Sequence, residues 1–218
     1  MFRNEEEFIA ELEDYLRNTK QLTDSSVKLY LNRIRRLLET EYSVGDLRGC
    51  ADRLWEEYGP NGSKYDPNDH GNTRAAIRHV DSLVRKQLLE RVGNFYISYE
   101  QGWNSVRRLD EHESGYTIKD GTITFSCCTG FSKSKDVTKR ISTRNLDKLI
   151  NVLFRAYRKH VLAASNTCIV TVHGKQNKYD YSLFDDAGTD CGCLFEGNST
   201  YVAQLKKEYE DIIDDLRS

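Results

Sequence analysis

Proline is scarce in this chain, and its two prolines, Pro60 and Pro67, fall in one short segment. Proline ends helices and interrupts central strands, so the rest of the sequence is free to form long regular elements. The chain also lacks any run of about 18 apolar residues, which argues against a membrane-spanning helix. Its first residues, MFRNEEEFIA, are acidic where a secretory signal is basic. We therefore predict a cytoplasmic protein without membrane association.

The chain also has no large excess of positive or negative charge. The 218 residues include 32 Lys and Arg against 34 Asp and Glu, for a formal charge of -2. This total does not favour a polyanion-binding protein, although a total can hide opposite charges in different segments. Hydrophobic residues make up 38% of the chain, enough to form the core of one or two domains. The six cysteines of a chain without a signal predict reduced thiols, not a disulfide framework.

The first 95 residues have apolar side chains at helical spacing throughout. Four helices are predicted here, over residues 5–18, 23–42, 44–58 and 73–91. The second helix has Thr23 or Asp24 as its N-cap. Between the last two helices, the segment GPNGSKYDPNDHGN contains both prolines and several turn-forming residues. It is therefore predicted to be a loop.

Positive charge collects on the outer faces of two of these helices. In the second helix basic side chains lie largely opposite an apolar arc, and the fourth helix repeats the arrangement. The basic residues concerned are Lys28, Arg33, Arg35 and Arg36 in the second helix, and Arg74, Arg78 and Arg85 in the fourth. A single stripe of this kind is usually a solvated helix face, but its repetition indicates a phosphate-binding surface.

From about residue 115 the apolar spacing changes to a period of two, which is typical of strands. Strands are predicted over 122–128, 166–174 and 178–184, and the last two have the GKQN turn of a hairpin between them. Long helices are predicted over 145–164 and 200–216. The sequence thus predicts an α+β protein with a four-helix domain over 1–95, a helical connector over 96–114, and an α+β domain with an antiparallel sheet over 115–218.

Charge in the second half is divided along the chain. Basic residues dominate between 119 and 178, and acidic residues dominate from 180 onward. The segment FSKSKDVTKR supplies Lys133, Lys135, Lys139 and Arg140, and we predict that it is a loop able to grip phosphates through counterion release. The acidic C-terminal helix either neutralises the basic strands or binds a separate basic partner.

The N-terminal half resembles the core-binding, SAM-like domain of tyrosine recombinases and phage integrases. The stretches that carry the resemblance are FIAELEDYLRNTKQLTDSSVKLYLNRIRRLLE, SVGDLRGCADRLWEEY and HGNTRAAIRHVDSLVRK. They match the family in helix order and loop position over about the first 90 residues. The resemblance implies association with DNA or mobile elements. Since the second and fourth helices of that family lie against DNA, it also implies that the basic residues of both helices contact phosphates.

The catalytic half of the recombinase family is not matched. CTGFSKSK lacks the arginine expected after TG, and no H-x-x-R pair follows, although VHGKQNKYDYSLF is similar to the lysine hairpin and Tyr201 lies near the end. Phosphotyrosine transfer needs several cations around one phosphate, so the resemblance does not extend to activity.

No metal or cofactor site is predicted. Cys127, Cys128, Cys191, Cys193 and His173 lack zinc-ligand spacing. Asp185, Asp186 and Asp190 lie after a strand without a second carboxylate element, which favours a solvated turn over a metal-dependent nuclease site.

The leading hypothesis is a non-catalytic DNA-binding protein of a bacterial mobile element or defence system, which contacts the duplex phosphate backbone. The alternative is an inhibitor or adaptor of a nucleic-acid enzyme that docks through its acidic C-terminal region. A degenerate recombinase or a novel nuclease is the third and weakest hypothesis.

Overall fold

A computed structural model describes residues 4–49, 51–93, 95–103, 112–129, 132–133, 135–159, 161, 167–172, 175–183 and 194–218. The protein belongs to the α+β class, as the sequence predicts, with helices first and an antiparallel sheet after them. The chain divides into two compact units. The helical unit comprises Met1–Leu88 with Ser142–Arg144, and the sheet unit comprises Leu89–Ile141 with Asn145–Ser218.

Among the described residues, five α-helices begin between Glu5 and Asn72. They are α1 (Glu5–Asp14), α2 (Asp24–Thr40), α3 (Val44–Gly49), α4 (Ala51–Glu57) and α5 (Asn72–Val92), with a π-helical turn at Tyr15–Thr19 and a 3-10 turn at Pro67–Asp69. The predicted helix 44–58 is described as α3 and α4, on either side of Cys50, which lies outside the described residues. None of the helices in the described ranges has both the length and the apolar content needed to span a membrane.

The helix starts follow from local side-chain capping. The Asn4 side chain accepts a hydrogen bond from the Glu7 backbone N–H at 2.8 Å, and that of Thr23 accepts from Ser26 N–H at 3.4 Å. Each cap satisfies a backbone donor that has no partner within its helix. The apolar faces predicted from the sequence form the core, which contains Phe8, Leu12, Leu16, Val27, Leu31, Ile34, Ile77 and Val80, all with at most a few per cent exposure.

The described part of the sheet unit contains seven strands in one antiparallel sheet. They are β1 (Phe95–Trp103), β2 (His112–Lys119), β3 (Thr122–Thr129), β4 (Ser132–Lys133), β5 (Val137–Arg140), β6 (Thr167–Val172) and β7 (Lys175–Leu183). Their order is β4-β3-β2-β1-β7-β6, and β5 also pairs with β3. The described part of this unit also contains two helices, α6 (Thr143–Arg158), whose first two residues belong to the helical unit, and α7 (Thr200–Arg217).

One face of the sheet carries a cluster of tyrosines. The register places Tyr99 of β1 opposite both Tyr116 of β2 and Tyr179 of β7. The ring of Tyr99 lies 5.1 Å from that of Tyr116 and 4.5 Å from that of Tyr179, measured between centroids. Helix α7 packs on this face, where the hydroxyls of Tyr209 and Tyr116 form a buried hydrogen bond of 2.8 Å. The next residues along each strand, such as Tyr96, Ser98 and Thr117, point to the opposite face and are half-buried.

Backbone geometry explains the β2–β3 hairpin. Asp120 and Gly121 occupy its two turn positions with φ of 50° and 69°. A two-residue hairpin needs left-handed backbone at both positions, which Asp-Gly adopts readily.

Gly115 of β2 has a different role, because a Cβ atom there would lie 2.4 Å from the Tyr99 carbonyl oxygen. A side chain at position 115 would therefore force the β1 and β2 backbones apart.

Two sequence predictions are wrong. The segment 96–114 is not helical where the structure describes it, because residues 96–103 and 112–114 belong to β1 and β2. The segment FSKSKDVTKR is not a free loop, because Ser132–Lys133 and Val137–Arg140 both pair with β3. In both segments, polar or aromatic residues occupy both faces of the strand. The alternation of apolar and polar residues that usually identifies a strand is therefore weak. Residues 175–177 of the predicted GKQN turn belong to β7, and Gly174 lies outside the described residues.

We expect the Tyr116–Tyr209 hydrogen bond to show coupling in a double-mutant cycle. Either Tyr116→Phe or Tyr209→Phe leaves the other hydroxyl buried without its partner, which costs about 1–3 kcal/mol of unfolding free energy. The double Tyr→Phe variant removes both polar groups and should lose less than the two single changes together. Urea unfolding monitored by circular dichroism measures the four free energies. Additive losses would contradict the proposed coupling.

Candidate nucleic-acid interface

The basic residues of α2 do not form one surface. Lys28 and Arg36 are exposed, and Arg36 forms no ion pair with a described residue. Arg35 instead lines a groove of about 490 Å³ between α1 and α2, together with Glu5, Glu6, Glu13 and Glu39. Because four carboxylates share this groove, the field around Arg35 disfavours a phosphate there.

Arg33 is held by the segment that precedes α5. Its Nη2 atom lies 2.7 Å from Oδ1 of Asp69, and the two side chains are only 25% and 11% exposed. The other carboxylate oxygen, Oδ2 of Asp69, accepts a hydrogen bond of 2.6 Å from the Thr73 N–H in the first turn of α5. Arg33 thus joins α2 to the start of α5.

Arg74 stacks on a ring from the preceding helix. Its guanidinium carbon lies 3.5 Å from the centroid of the Trp55 ring, and its Nε donates a hydrogen bond of 3.1 Å to the Trp55 carbonyl. A guanidinium in this position makes a cation–π contact and a hydrogen bond at once, which ties α5 to α4.

Lys64 lies in the middle of the segment between α4 and α5 and contacts the residues that follow α2. Its ammonium hydrogen-bonds to the Glu41 carboxylate and the Tyr42 hydroxyl, and lies 4.6 Å from the centroid of the Tyr42 ring. Hydrogen bonding to Glu41, and then to Tyr42, raises the pKa of Lys64 above its ordinary value. The nearby phenol of Tyr58 has its pKa raised to about 12, mainly by burial. We call Arg33, Lys64 and Arg74 the loop cations, since all three fix the segment between α4 and α5.

A different group of basic residues gathers on the solvent side of α5. The π-helical turn ends with a hydrogen bond of 3.0 Å from the Lys20 N–H to the Tyr15 carbonyl, which brings Lys20 back over Tyr15. The ammonium groups of Lys20 and Lys86 lie 5.6 Å and 6.0 Å from the centroid of the Tyr15 ring. Two cations from separate elements therefore converge on one aromatic ring.

His79 follows Arg78 in α5 and contacts Tyr30 of α2. The His79 ring lies 4.9 Å from the Tyr30 ring, measured between centroids. Burial, and then the positive charges of Lys20 and Arg78, lower the pKa of His79. Arg78 is the residue before His79 in α5, and Lys20 is the cation that also lies beside the Tyr15 ring. We call Lys20, Arg78 and Lys86 the α5 patch.

The sequence pattern predicts some members of the α5 patch and misses others. Arg78 is exposed, as the helical periodicity predicts, and neither it nor Lys20 forms an ion pair with any residue in the described ranges. Lys86 lies eight positions after Arg78 and so on the same helix face. Lys20 follows a helix end, and only the tertiary fold brings it to α5. Arg85, the remaining predicted residue of this helix, is half-buried and has interactions of its own.

The predicted basic residues of the β-segment are also dispersed. Lys139 donates a hydrogen bond of 3.1 Å to the Arg217 carbonyl in the last turn of α7, which satisfies a helix-end acceptor. Arg140, the next residue, points to the opposite face of the sheet and is exposed, and Lys135 is exposed too. Lys133 belongs to β4, but its side chain lies outside the described residues.

The residues considered for metal binding or catalysis fall mostly outside the described ranges. Cys191, Cys193, His173, Asp185, Asp186 and Asp190 are in segments that the structure does not describe. Cys127 lies near the end of β3 in the sheet unit, and its side chain is exposed. Tyr201 lies in the first turn of α7 and is 37% exposed.

Comparison with known proteins assigns no family to this chain. No protein-family model and no curated protein matches the sequence.

The lowered pKa of His79 predicts a specific response to acid. The neutral imidazole is favoured in the folded state, so its contribution to stability is present above the unfolded pKa of about 6.5 and is lost as pH falls from there toward the lowered folded pKa. His79→Phe keeps a ring against Tyr30 and cannot take up a proton. The variant should therefore lose less thermal stability than the wild type between pH 7.5 and pH 5.

His70→Asn is the matched control for this measurement, because it removes an exposed histidine from the loop. Asparagine also tolerates the left-handed backbone at position 70, where φ is 52°. Equal losses of melting temperature in the wild type and His79→Phe would refute the role given to His79.

Proposed function

We propose that this chain is a non-catalytic DNA-binding protein of a bacterial mobile element or defence system, that it acts in the cytoplasm, and that it contacts duplex phosphates through the α5 patch. The observation that carries the proposal is the convergence of Lys20 and Lys86 on Tyr15, with Arg78 beside His79. The resemblance of the helical half to core-binding domains is the reason for choosing a DNA duplex as the partner.

The patch suits phosphate binding for three physical reasons. Its cations come from two different elements, so they present a surface and not a line along one helix. Two of them, Lys20 and Lys86, lie beside the Tyr15 ring, whose face attracts both ammonium groups and favours their closeness. Arg78 can donate two parallel hydrogen bonds to one phosphate, while the two lysines act as point charges. Binding of this kind releases counterions from the DNA and carries no sequence information by itself.

The loop cations support the same proposal indirectly. Arg33, Lys64 and Arg74 are occupied within the helical unit and fix the start of α5 against α2 and α4. The α5 patch therefore lies on a helix whose position is set by other charges. Rigid placement reduces the entropy lost when a phosphate is bound.

The test is a salt series on a fluorescently labelled 20-base-pair duplex, followed by anisotropy. The Lys20→Ala/Arg78→Ala/Lys86→Ala variant should bind more weakly than the wild type. The plot of log affinity against log salt should also become shallower by about 2.7, at roughly 0.9 for each phosphate contact removed.

Lys119→Ala/Lys206→Ala/Lys207→Ala is the matched control, since it removes the same number of positive charges from exposed positions of the sheet unit. It should retain the wild-type slope. An equal reduction in both variants would mean that only the net charge matters, and an unchanged slope in the patch variant would reject the proposed site.

One observation favours a second candidate function, docking on a basic protein. Helix α7 exposes Glu210, Asp211, Asp214 and Asp215 at successive turns of one face. Within the described residues only Glu210 has an ion-pair partner, Lys206 at 3.8 Å. An acidic face of this kind is complementary to a basic surface, as in a partner that itself binds nucleic acid.

Removing α7 would not test this function, because Val202, Leu205, Tyr209, Ile212, Ile213 and Leu216 are buried in the sheet unit. We instead expect Asp211→Asn/Asp214→Asn/Asp215→Asn to weaken binding of a lysine-rich peptide, measured by calorimetry at low salt. Glu5→Gln/Glu6→Gln/Glu7→Gln removes as many charges from α1 and should bind as the wild type does. Equal weakening in both variants would exclude a specific role for α7.

A further inference from the structure

Helix α6, together with the residue that follows it, exposes a second row of cations that the α5 patch does not include. Lys148, Arg155, Arg158 and Lys159 are all exposed and follow one another at seven, three and one residues. At 1.5 Å per residue, the part of the row from Lys148 to Arg158 extends about 15 Å along the helix, and Lys159 follows directly. Asn151 lies within the row and is exposed as well, and Asp147 is its one acidic neighbour on this face.

The charges of this row are largely uncompensated. Arg155 forms an ion pair with Glu208 of α7. Lys148, Arg158 and Lys159 form no ion pair with any residue that the structure describes. They contribute nothing to the core, since α6 buries its other side through Leu146, Leu149, Ile150 and Leu153, each with 0% exposure. The row therefore stands on a well-packed helix whose direction is fixed.

We propose that this face of α6 is a second phosphate-binding surface, which lets the sheet unit contact nucleic acid independently of the α5 patch. The partner class follows from the composition of the face. Its exposed residues include no large apolar side chain, whereas protein-binding hot spots are typically aromatic or apolar anchors surrounded by polar groups. A row of cations along a helix is complementary to a linear polyanion, whose charges also repeat along its length.

This inference goes beyond the proposed function, since it concerns another unit of the protein and other residues. It predicts that the full chain contacts nucleic acid at two places. When two surfaces engage one duplex, the second contact is intramolecular, so the affinity exceeds that of either surface alone. The salt dependence then contains a contribution from each surface.

The experiment compares four forms of the full chain on the labelled duplex across a salt series. They are the wild type, the Lys148→Gln/Arg158→Gln/Lys159→Gln variant, the variant lacking the α5 patch, and the combination of both sets of changes. All substituted α6 positions are exposed, so circular dichroism should show an unchanged fold. We expect the α6 variant to reduce the slope by about 2.7, and to do so again in the background of the α5 patch variant.

The outcomes separate this inference from the proposed function. A reduced slope for the α6 variant with no effect of the α5 patch variant would support the α6 surface and reject the α5 patch. The reverse result would overturn the α6 inference and leave the α5 patch in place. An α6 variant that binds duplex as the wild type does, but loses a salt-sensitive self-association in sedimentation, would overturn it in favour of a second copy of this chain as partner.

Discussion

The path of the chain between α4 and α5 depends on three half-buried positive charges of the helical unit. The segment between α4 and α5 has few apolar side chains to bury, and its path is fixed by the ion pair of Arg33 with Asp69, the stacking of Arg74 on Trp55 and the contacts of Lys64 with Glu41 and Tyr42. Half-buried pairs of this kind are costly to break, because the remaining partner is left poorly solvated. The contacts of Arg33 and Arg74 fix the start of α5, and the buried stripe of Ile77, Val80 and Val84 orients the rest of the helix that carries the α5 patch.

The sheet unit solves a different problem, which is to bury tyrosines without leaving their hydroxyls unpaired. Tyr116 and Tyr209 pair with each other through a hydrogen bond, and burial raises the pKa of both phenols. At the end of α7, Lys139 supplies a donor to the last turn. Both contacts use polar groups of the sheet to fix the same helix.

The sequence predicted the helices well because their apolar residues repeat without interruption. Val27, Leu31 and Ile34 are examples, and all are buried. Strand β1 was missed because Tyr96 and Tyr99 place aromatic rings on both faces of the sheet, which conceals the period of two. Within the candidate site, periodicity was enough to select Arg78. It could not separate Arg74 from Arg78, since the stacking partner of Arg74 lies in another helix, and it could not associate Lys20 with α5, since that contact depends on the π-helical turn.

The pairing of Tyr116 with Tyr209 also has a consequence for the order in which the protein folds during synthesis. The two residues are separated by 93 positions, and α7 provides six buried side chains to the sheet unit. The core of this unit therefore stays open to water until α7 has left the ribosome, whereas the apolar residues of the helical unit are nearly all available by Leu88. Non-local contacts of this length slow folding and leave the tyrosine-bearing face of the sheet uncovered in the meantime. The sheet unit is thus the half of the chain most dependent on protection while it is being made.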